Sequence, residues 1–228
     1  MEIYLIRHGK TKGNGEGRYI GSTDEPLSEL GRRELTETLW KGGYGKAGLK
    51  KPQAVYVSGL LRTGETARLL FPGEPLTVRE GLNECDFGAF ENRNYEELKE
   101  EPAYTDWIES GGVLAPPGGE AKADFAARTI RAFEGIVAEQ LSGCGGELSE
   151  TDSRAGKAGQ ASFRAPDGQA LAFVVHGGSI MALLEHYGFP RQGFYHWQVK
   201  NGCGYQALLS EADWLSGERY LTEIRSIP

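Results

Sequence analysis

Glu2-Ile-Tyr-Leu-Ile-Arg7-His8-Gly9-Lys10-Thr11 opens the chain, and its reading decides the fold. Residues 2–6 read as a strand by length and composition, the side chains after Glu2 being aliphatic or aromatic. Near-continuous apolarity marks a strand covered on both faces, as parallel strands of α/β proteins are. Arg7 and His8 follow at once, so they lie just past the carboxyl end, where open α/β sheets bind ligands. Arginine offers a planar fork suited to phosphate oxygens. A neutral histidine is a competent nucleophile, and Gly9 lets backbone approach a ligand closely. The bland alternative is a strand that ends in solvated polar residues. Arg-His-Gly-x-Thr arises by chance in such a chain with odds on the order of one in a thousand, so the functional reading prevails.

Working outward, Gln53–Val57, Leu76–Val78 and Leu171–Val175 read as further strands. Cys203–Ser210 and Arg219–Ile224 make a later antiparallel pair. Ser28 is placed to cap a helix carrying Leu35 and Leu39, and Thr63–Phe71 is a short helix stopped by Pro72-Gly73. Phe125–Leu141 carries Ile130, Phe133, Val137 and Leu141 on one stripe, and Ser179–Tyr187 follows the strand at 171–175. Strands alternating with helices predict an α/β fold with a doubly covered sheet. Residues 143–170 are polar, Gly/Ser/Ala-rich and aperiodic, which fits a functional lid or a disordered excursion; with only Leu148 and Phe163 as anchors, the flexible-insertion reading prevails. No repeat or composition shift marks a second domain, and residues 1–228 are expected to form one.

Two nucleotide-binding readings fail on context. Gly9-Lys10-Thr11 resembles the end of a P-loop, but the required earlier glycine position holds Tyr4, inside the strand. Gly43-x-Gly45-x-x-Gly48 matches the dinucleotide fingerprint but follows a helix and precedes Lys50-Lys51-Pro52. Two other strand ends repeat the first one's logic. Ser58-Gly-Leu-Leu-Arg62-Thr-Gly-Glu-Thr66-Ala67 puts Arg62 near a helix start, and Val174-Val175-His176-Gly177-Gly178-Ser179 puts His176 there. A helix N-terminus beside a guanidinium favours an anion. Each alone has an ordinary structural reading; three strand ends delivering Arg-His, Arg and His point to one anion site.

Composition narrows the classes. With 25 Lys+Arg against 32 Asp+Glu, a net charge of −7 argues against nucleic-acid binding, although a cleft can be locally positive. No apolar run approaches the roughly 20 residues of a membrane span. Cys85, Cys144 and Cys203 are an odd count without C-x-x-C spacing, which argues against a disulfide framework or zinc site. No carboxylate cluster suggests another metal, and no cofactor is implied. With an acid at position 2 and no basic leader, the expected location is the cytoplasm.

Taken together, the motifs resemble the histidine phosphatase superfamily, the phosphoglycerate mutase-like proteins. The matching pieces are Arg7-His8-Gly9-x-Thr11-x-x-Asn14, Arg18-x-x-Gly21-x-x-Asp24-x-Pro26-Leu27-Ser28-x-x-Gly31, Ser58-x-x-x-Arg62-x-x-x-Thr66-Ala67, Leu82-Asn83-Glu84-x-x-Phe87-Gly88 and His176-Gly177-Gly178, in the family's order. The resemblance covers nearly the whole chain outside about 143–170. It implies a three-layer α/β/α sandwich around a mostly parallel sheet and a metal-independent phosphatase. It also implies that His8 is phosphorylated in turnover, that Arg7, Arg62 and His176 hold the phosphoryl oxygens, and that Glu84 is the proton donor. His176 is expected to be protonated. Asn14, Gly21 and Gly177 are implied as substrate contacts, and the partner is a small phosphorylated metabolite; oligomeric state is not legible.

Three departures stand out: Gly88-Ala89-Phe90-Glu91-Asn92 in place of the common Gly-x-Trp-Glu-Gly, Ala121 where serine is common, and the insertion. The alternatives within the family are a phosphoglycerate mutase and a non-enzymatic phosphate-ligand binder. Arg7, His8, Arg62, Glu84 and His176 are all present, which argues against the binder. Mutase relatives carry arginine and tyrosine where this chain has Cys85 and Phe87, which favours phosphatase. Leu82-Asn-Glu-x-x-Phe-Gly88, Tyr104-x-x-Trp107 and His196-Trp197 are similar to α-ribazole phosphatase-type members of cobalamin assembly, implying α-ribazole 5'-phosphate, with sugar-phosphate and broad-specificity phosphatases as the alternatives. Tyr104, Trp107 and Trp197 are candidates to stack on a flat base.

Overall fold

A computed structural model describes residues 1–143 and 169–228. Its first strand, β1 (Glu2–Arg7), alternates between two cores: Ile3 and Leu5 enter one, Tyr4 and Ile6 the other. The strand at Ala170–Val175 divides the same way, with Leu171, Phe173 and Val175 opposite Ala170, Ala172 and Val174. Strands apolar on both faces must be covered on both faces, and this produces three layers.

After β1 come α1 (Lys12–Gly15), α2 (Glu29–Arg33), α3 (Gly43–Lys46), β2 (Ala54–Val57), α4 (Leu61–Leu70) and β3 (Leu76–Val78). Then follow α5 (Tyr95–Leu98), α6 (Pro102–Glu109), α7 (Lys122–Gly143), β4 (Ala170–Val175), α8 (Gly177–Tyr187), β5 (Gly204–Leu209), α9 (Glu211–Ser216) and β6 (Leu221–Ile227). The strand order is β3-β2-β4-β1-β5-β6. β1, β4, β2 and β3 are parallel to one another, and β5 is antiparallel to both its neighbours, so β6 runs with the rest. Phe133 and Val137 of α7 and Leu183 of α8 pack on one face, and Ala67 and Leu70 of α4 on the other. The architecture is the expected α/β sandwich around a mostly parallel sheet.

Two details differ from expectation. Ser28 does cap a helix, accepting from the Gly31 N–H at 3.0 Å, but α2 then runs on in wider π-type turns over Glu34–Leu39. The wider turns keep Leu35 fully buried while Trp40 reaches the Gly202 carbonyl with its indole N–H at 2.7 Å. The expected insertion at about 143–170 lies outside the described residues except at its ends, where Gly143 closes α7 and Ala170 opens β4.

The topology places the chemistry. β2, β4 and β1 are consecutive in the sheet, and Arg7 lies in register with Val175. The carboxyl ends of these three strands deliver Ser58, His176 and His8 to one edge.

Candidate active site

His8 leaves β1 with its backbone N–H bonded to the Val175 carbonyl at 2.9 Å, so it emerges beside His176 at the end of β4. The two rings meet edge-on with centroids 5.2 Å apart, close to the spacing of adjacent strands. His8 is 3% exposed and His176 fully buried. His8 Nδ1 lies 2.7 Å from the Gly9 carbonyl, an acceptor, so Nδ1 carries the proton and Nε2 presents a lone pair. Burial, with Arg62 and Arg7 nearby, holds the His8 pKa well below the ordinary histidine value. It is neutral at pH 7, as a nucleophile must be.

Arg62, in the first turn of α4, is fully buried. Its terminal nitrogens donate to the carbonyls of Thr23 and Gly21, each at 2.8 Å. Arg7 donates to the Val199 carbonyl at 2.8 Å. These bonds use one side of each guanidinium and leave Nε of Arg7 and of Arg62 buried without a protein partner. His176 Nδ1 is in the same condition. Buried polar atoms are normally hydrogen-bonded, so three orphans on the residues singled out as anion-binding are the mark of a ligand site.

Glu84 sits between the segment after β3 and the start of α8. Its two oxygens accept from the N–H groups of Cys85, at 3.0 Å, and Gly178, at 3.1 Å. Burial raises its pKa above the ordinary carboxyl value, against the pull of those two N–H groups, Arg62 and Arg7, which favours the protonated form relative to an exposed carboxyl. Gly178 is required sterically, because a Cβ there would lie 2.4 Å from Glu84 Oε1.

The implied substrate contacts are placed as follows. Asn14 Oδ1 accepts from the Thr11 N–H and from Asn201, which fixes the amide orientation. Its NH2 group therefore finds no protein acceptor among the described residues. Gly177 abuts Arg7, whose guanidinium carbon would be 3.4 Å from an added Cβ. Gly21 donates its N–H to Glu91 and gives its carbonyl to Arg62, so it acts through Arg62 rather than as an open donor.

His176 was expected to be protonated when it holds a phosphoryl group; in the protein alone, burial first and then the nearby cations of Arg62, Arg7 and Arg128 hold its pKa well below the ordinary value.

A cavity of about 320 Å³ is lined on its polar side by Arg7, Asn14, Glu84 and Gly177, whereas His8, Arg62 and His176 are buried and lie outside its lining. Tyr19, Phe87, Trp107 and Tyr195 supply an aromatic wall. Of the three aromatics proposed to stack on a base, only Trp107 lines this cavity. Tyr104 and Trp197 are buried packing residues, at 3% and 6% exposure. Cys85 and Phe87 both line it, and burial pushes the Cys85 thiol pKa up to about 12, so these two positions carry no charge, while Arg18 and Lys122 line the same cavity.

Two positioning residues were not anticipated. Glu91 accepts from the N–H groups of Gly21, Ser22, Thr23 and Phe87, tying the 20–23 loop to the Glu84 loop. Arg128 pairs with Glu120 and donates to the carbonyls of Gly81, Asn83 and Glu84. Glu91 stood in the quoted Gly88–Asn92 motif, whereas nothing local in the sequence marks Arg128.

The family model of the histidine phosphatase superfamily (branch 1) matches residues 3–144. The chain belongs to this superfamily. As a histidine phosphatase it is 28% identical over 210 residues to the adenosylcobalamin/alpha-ribazole phosphatase of Salmonella typhimurium, covering 89% of this chain and 88% of that protein. It is 34% identical over 151 residues to a 2,3-bisphosphoglycerate-dependent phosphoglycerate mutase 2 of Gloeobacter violaceus, covering 62% and 66%. The crystal structure of the alpha-ribazole phosphatase from Shigella flexneri shares the fold of this histidine phosphatase, with a TM-score of 0.72 at 24% identity over 100% of this chain and 96% of that one.

Proposed function

We propose that this chain hydrolyses the phosphomonoester of a small metabolite, α-ribazole 5'-phosphate, through a phosphohistidine on His8. The observation that carries the reading is the set of orphaned nitrogens, Arg7 Nε, Arg62 Nε and His176 Nδ1, beside a neutral His8. A transferring phosphoryl group spreads charge over three oxygens, so catalysis is chiefly positioning and electrostatic stabilisation.

His8 Nε2 attacks phosphorus; the N–P bond forms as the ester P–O bond breaks, and Glu84 gives its proton to the leaving alkoxide. Water then attacks the phosphohistidine and passes a proton to Glu84. The N–P bond breaks, and neutral His8 and protonated Glu84 are restored with inorganic phosphate as product. Arg7, Arg62 and His176 hold the phosphoryl oxygens, Asn14 and Gly177 border the same pocket, and Gly21 seats Arg62. No step calls on a metal. The aromatic wall of Tyr19, Phe87 and Trp107 suits the flat base of the ligand named for the Salmonella relative. The uncharged Cys85 and Phe87 weigh against retention of a bisphosphorylated intermediate, which mutase action needs. Residues 1–228 act as one catalytic domain, placed in the cytoplasm and in cobalamin assembly.

Phosphate release from a panel of α-ribazole 5'-phosphate, ribose 5-phosphate, phosphoserine and 3-phosphoglycerate tests the reading. The expected result is the highest kcat/KM for α-ribazole 5'-phosphate. Interconversion of 2- and 3-phosphoglycerate faster than phosphate release would put the mutase in its place.

A further inference from the structure

His176 is buried and its hydrogen bonding runs away from the cavity. Its Nε2 lies 2.8 Å from Ser58 Oγ, and Ser58 Oγ lies 3.0 Å from Thr63 Oγ1, all three side chains being buried. Each hydroxyl has one proton to give and two lone pairs to receive with. Thr63 gives its proton to a carbonyl, that of Leu60 at 2.8 Å or its second choice, Ser58, at 3.3 Å. The Ser58–Thr63 contact must then use the Ser58 proton. Ser58 Oγ is left to receive, from the Leu60 N–H at 3.2 Å and from His176. Nε2 of His176 therefore carries the ring proton, and in the neutral ring Nδ1 is a bare lone pair.

That lone pair is the buried nitrogen without a protein partner. A deprotonated phosphoryl oxygen is also an acceptor, so the two repel unless a proton stands between them. On the reading of this pocket as a phosphate site, we propose that ligand binding takes up one proton, placed between His176 Nδ1 and a phosphoryl oxygen. Ser58 and Thr63 are positioning residues that impose this by holding His176 as the Nε2–H tautomer. The proton comes from solvent with a dianion, or arrives on a monoanion, and leaves with the product.

The groups facing His176 are consistent with this. Burial, and then the cations of Arg62 in α4, Arg7 at the end of β1 and Arg128 of α7, disfavour a charged His176 before ligand binds, while neutral His8 faces its ring edge-on. Glu84 accepts from Cys85 and Gly178 instead of from His176. An incoming anion supplies the missing countercharge.

Titration calorimetry of inorganic phosphate into the full chain at about pH 8, in buffers of differing ionisation enthalpy, counts the protons taken up. The wild type is expected to take up about one more proton per phosphate bound than the free anion carries. Thr63→Val keeps the side-chain shape but removes the acceptor of the Ser58 proton. That proton turns to His176 Nε2, the ring proton moves to Nδ1, and uptake falls well below half. The imidazole ¹⁵N spectrum of the ligand-free wild type decides the tautomer without any variant: Nδ1 is expected to be the unprotonated nitrogen. Phosphate binding without proton uptake, a protonated Nδ1 in the empty wild-type site, or unchanged uptake in Thr63→Val overturns the proposal alone. Failure of phosphate to bind at all overturns the phosphate-site reading with it.

Discussion

Gly178→Ala isolates the proton donor from the rest of the site. The new Cβ would lie 2.4 Å from Glu84 Oε1, where ordinary contact begins at 3.4 Å, and 3.1 Å from the Phe125 ring. The carboxyl must retreat by about 1 Å, and it leaves the Gly178 N–H that now fixes it at 3.1 Å. Displacement on this scale costs up to about 10²-fold in rate when the moved group acts in the transition state. Stability should barely change, because Gly→Ala inside a helix gains roughly 0.5–1 kcal/mol, about what one lost hydrogen bond costs. The assay compares kcat on an alkyl phosphomonoester with kcat on p-nitrophenyl phosphate, whose leaving group departs without a proton. The alkyl substrate should lose about 10²-fold and the nitrophenyl substrate only a few-fold. Equal losses on both, or none on either, would refute the placement of Glu84 as the acid.

Glu91→Gln should destabilise the fold by about 2–3 kcal/mol, since Glu91 accepts four backbone N–H bonds and the Thr23 hydroxyl. Burial works against ionisation there, yet those bonds hold its pKa below the usual carboxyl value. The stabilisation is therefore present above the unfolded pKa and lost as pH falls through the folded one, so the Tm gap between wild type and variant should close below about pH 4. With the His8 pKa held well below 6.5, kcat/KM should not decline between pH 7.5 and 6; an acid limb centred at the ordinary histidine value would contradict this. Dialysis against EDTA should leave the phosphatase rate unchanged, and a loss restored by Mg²⁺ would remove the metal-free mechanism.

The sheet and the reactive edge were legible because their signals are local. Continuous apolarity over Ile3–Ile6 and Leu171–Val175 foretold strands buried on both faces; Arg7 ends one strand, His176 directly follows another, and Arg62 stands in the first turn of the helix after a third. Elements α5 and α6 went unread although Asn94 with Glu97 forms a capping box and Pro102 opens a helix; they carry too few apolar residues for a visible stripe. The ligand wall was legible only in part, because sequence does not show that Tyr104 is buried while Trp107, on the same helix, reaches the cavity. Asn92 in place of glycine proved a small departure: its φ of 56° is a left-handed conformation that asparagine tolerates. Arg128 was invisible because its partners lie 8 to 47 residues away. The complete burial of His176 was not legible, since sequence shows a neighbour's type but not its depth.

The central claim is that His8 carries the phosphoryl group, and rapid quench of turnover followed by mapping of the modified residue tests it most directly. Phosphate should appear on His8 within a single turnover as an acid-labile, alkali-stable adduct, absent from His8→Ala, which should also lose turnover. Wild-type rates in a folded His8→Ala variant, or phosphate trapped on another residue, would contradict it.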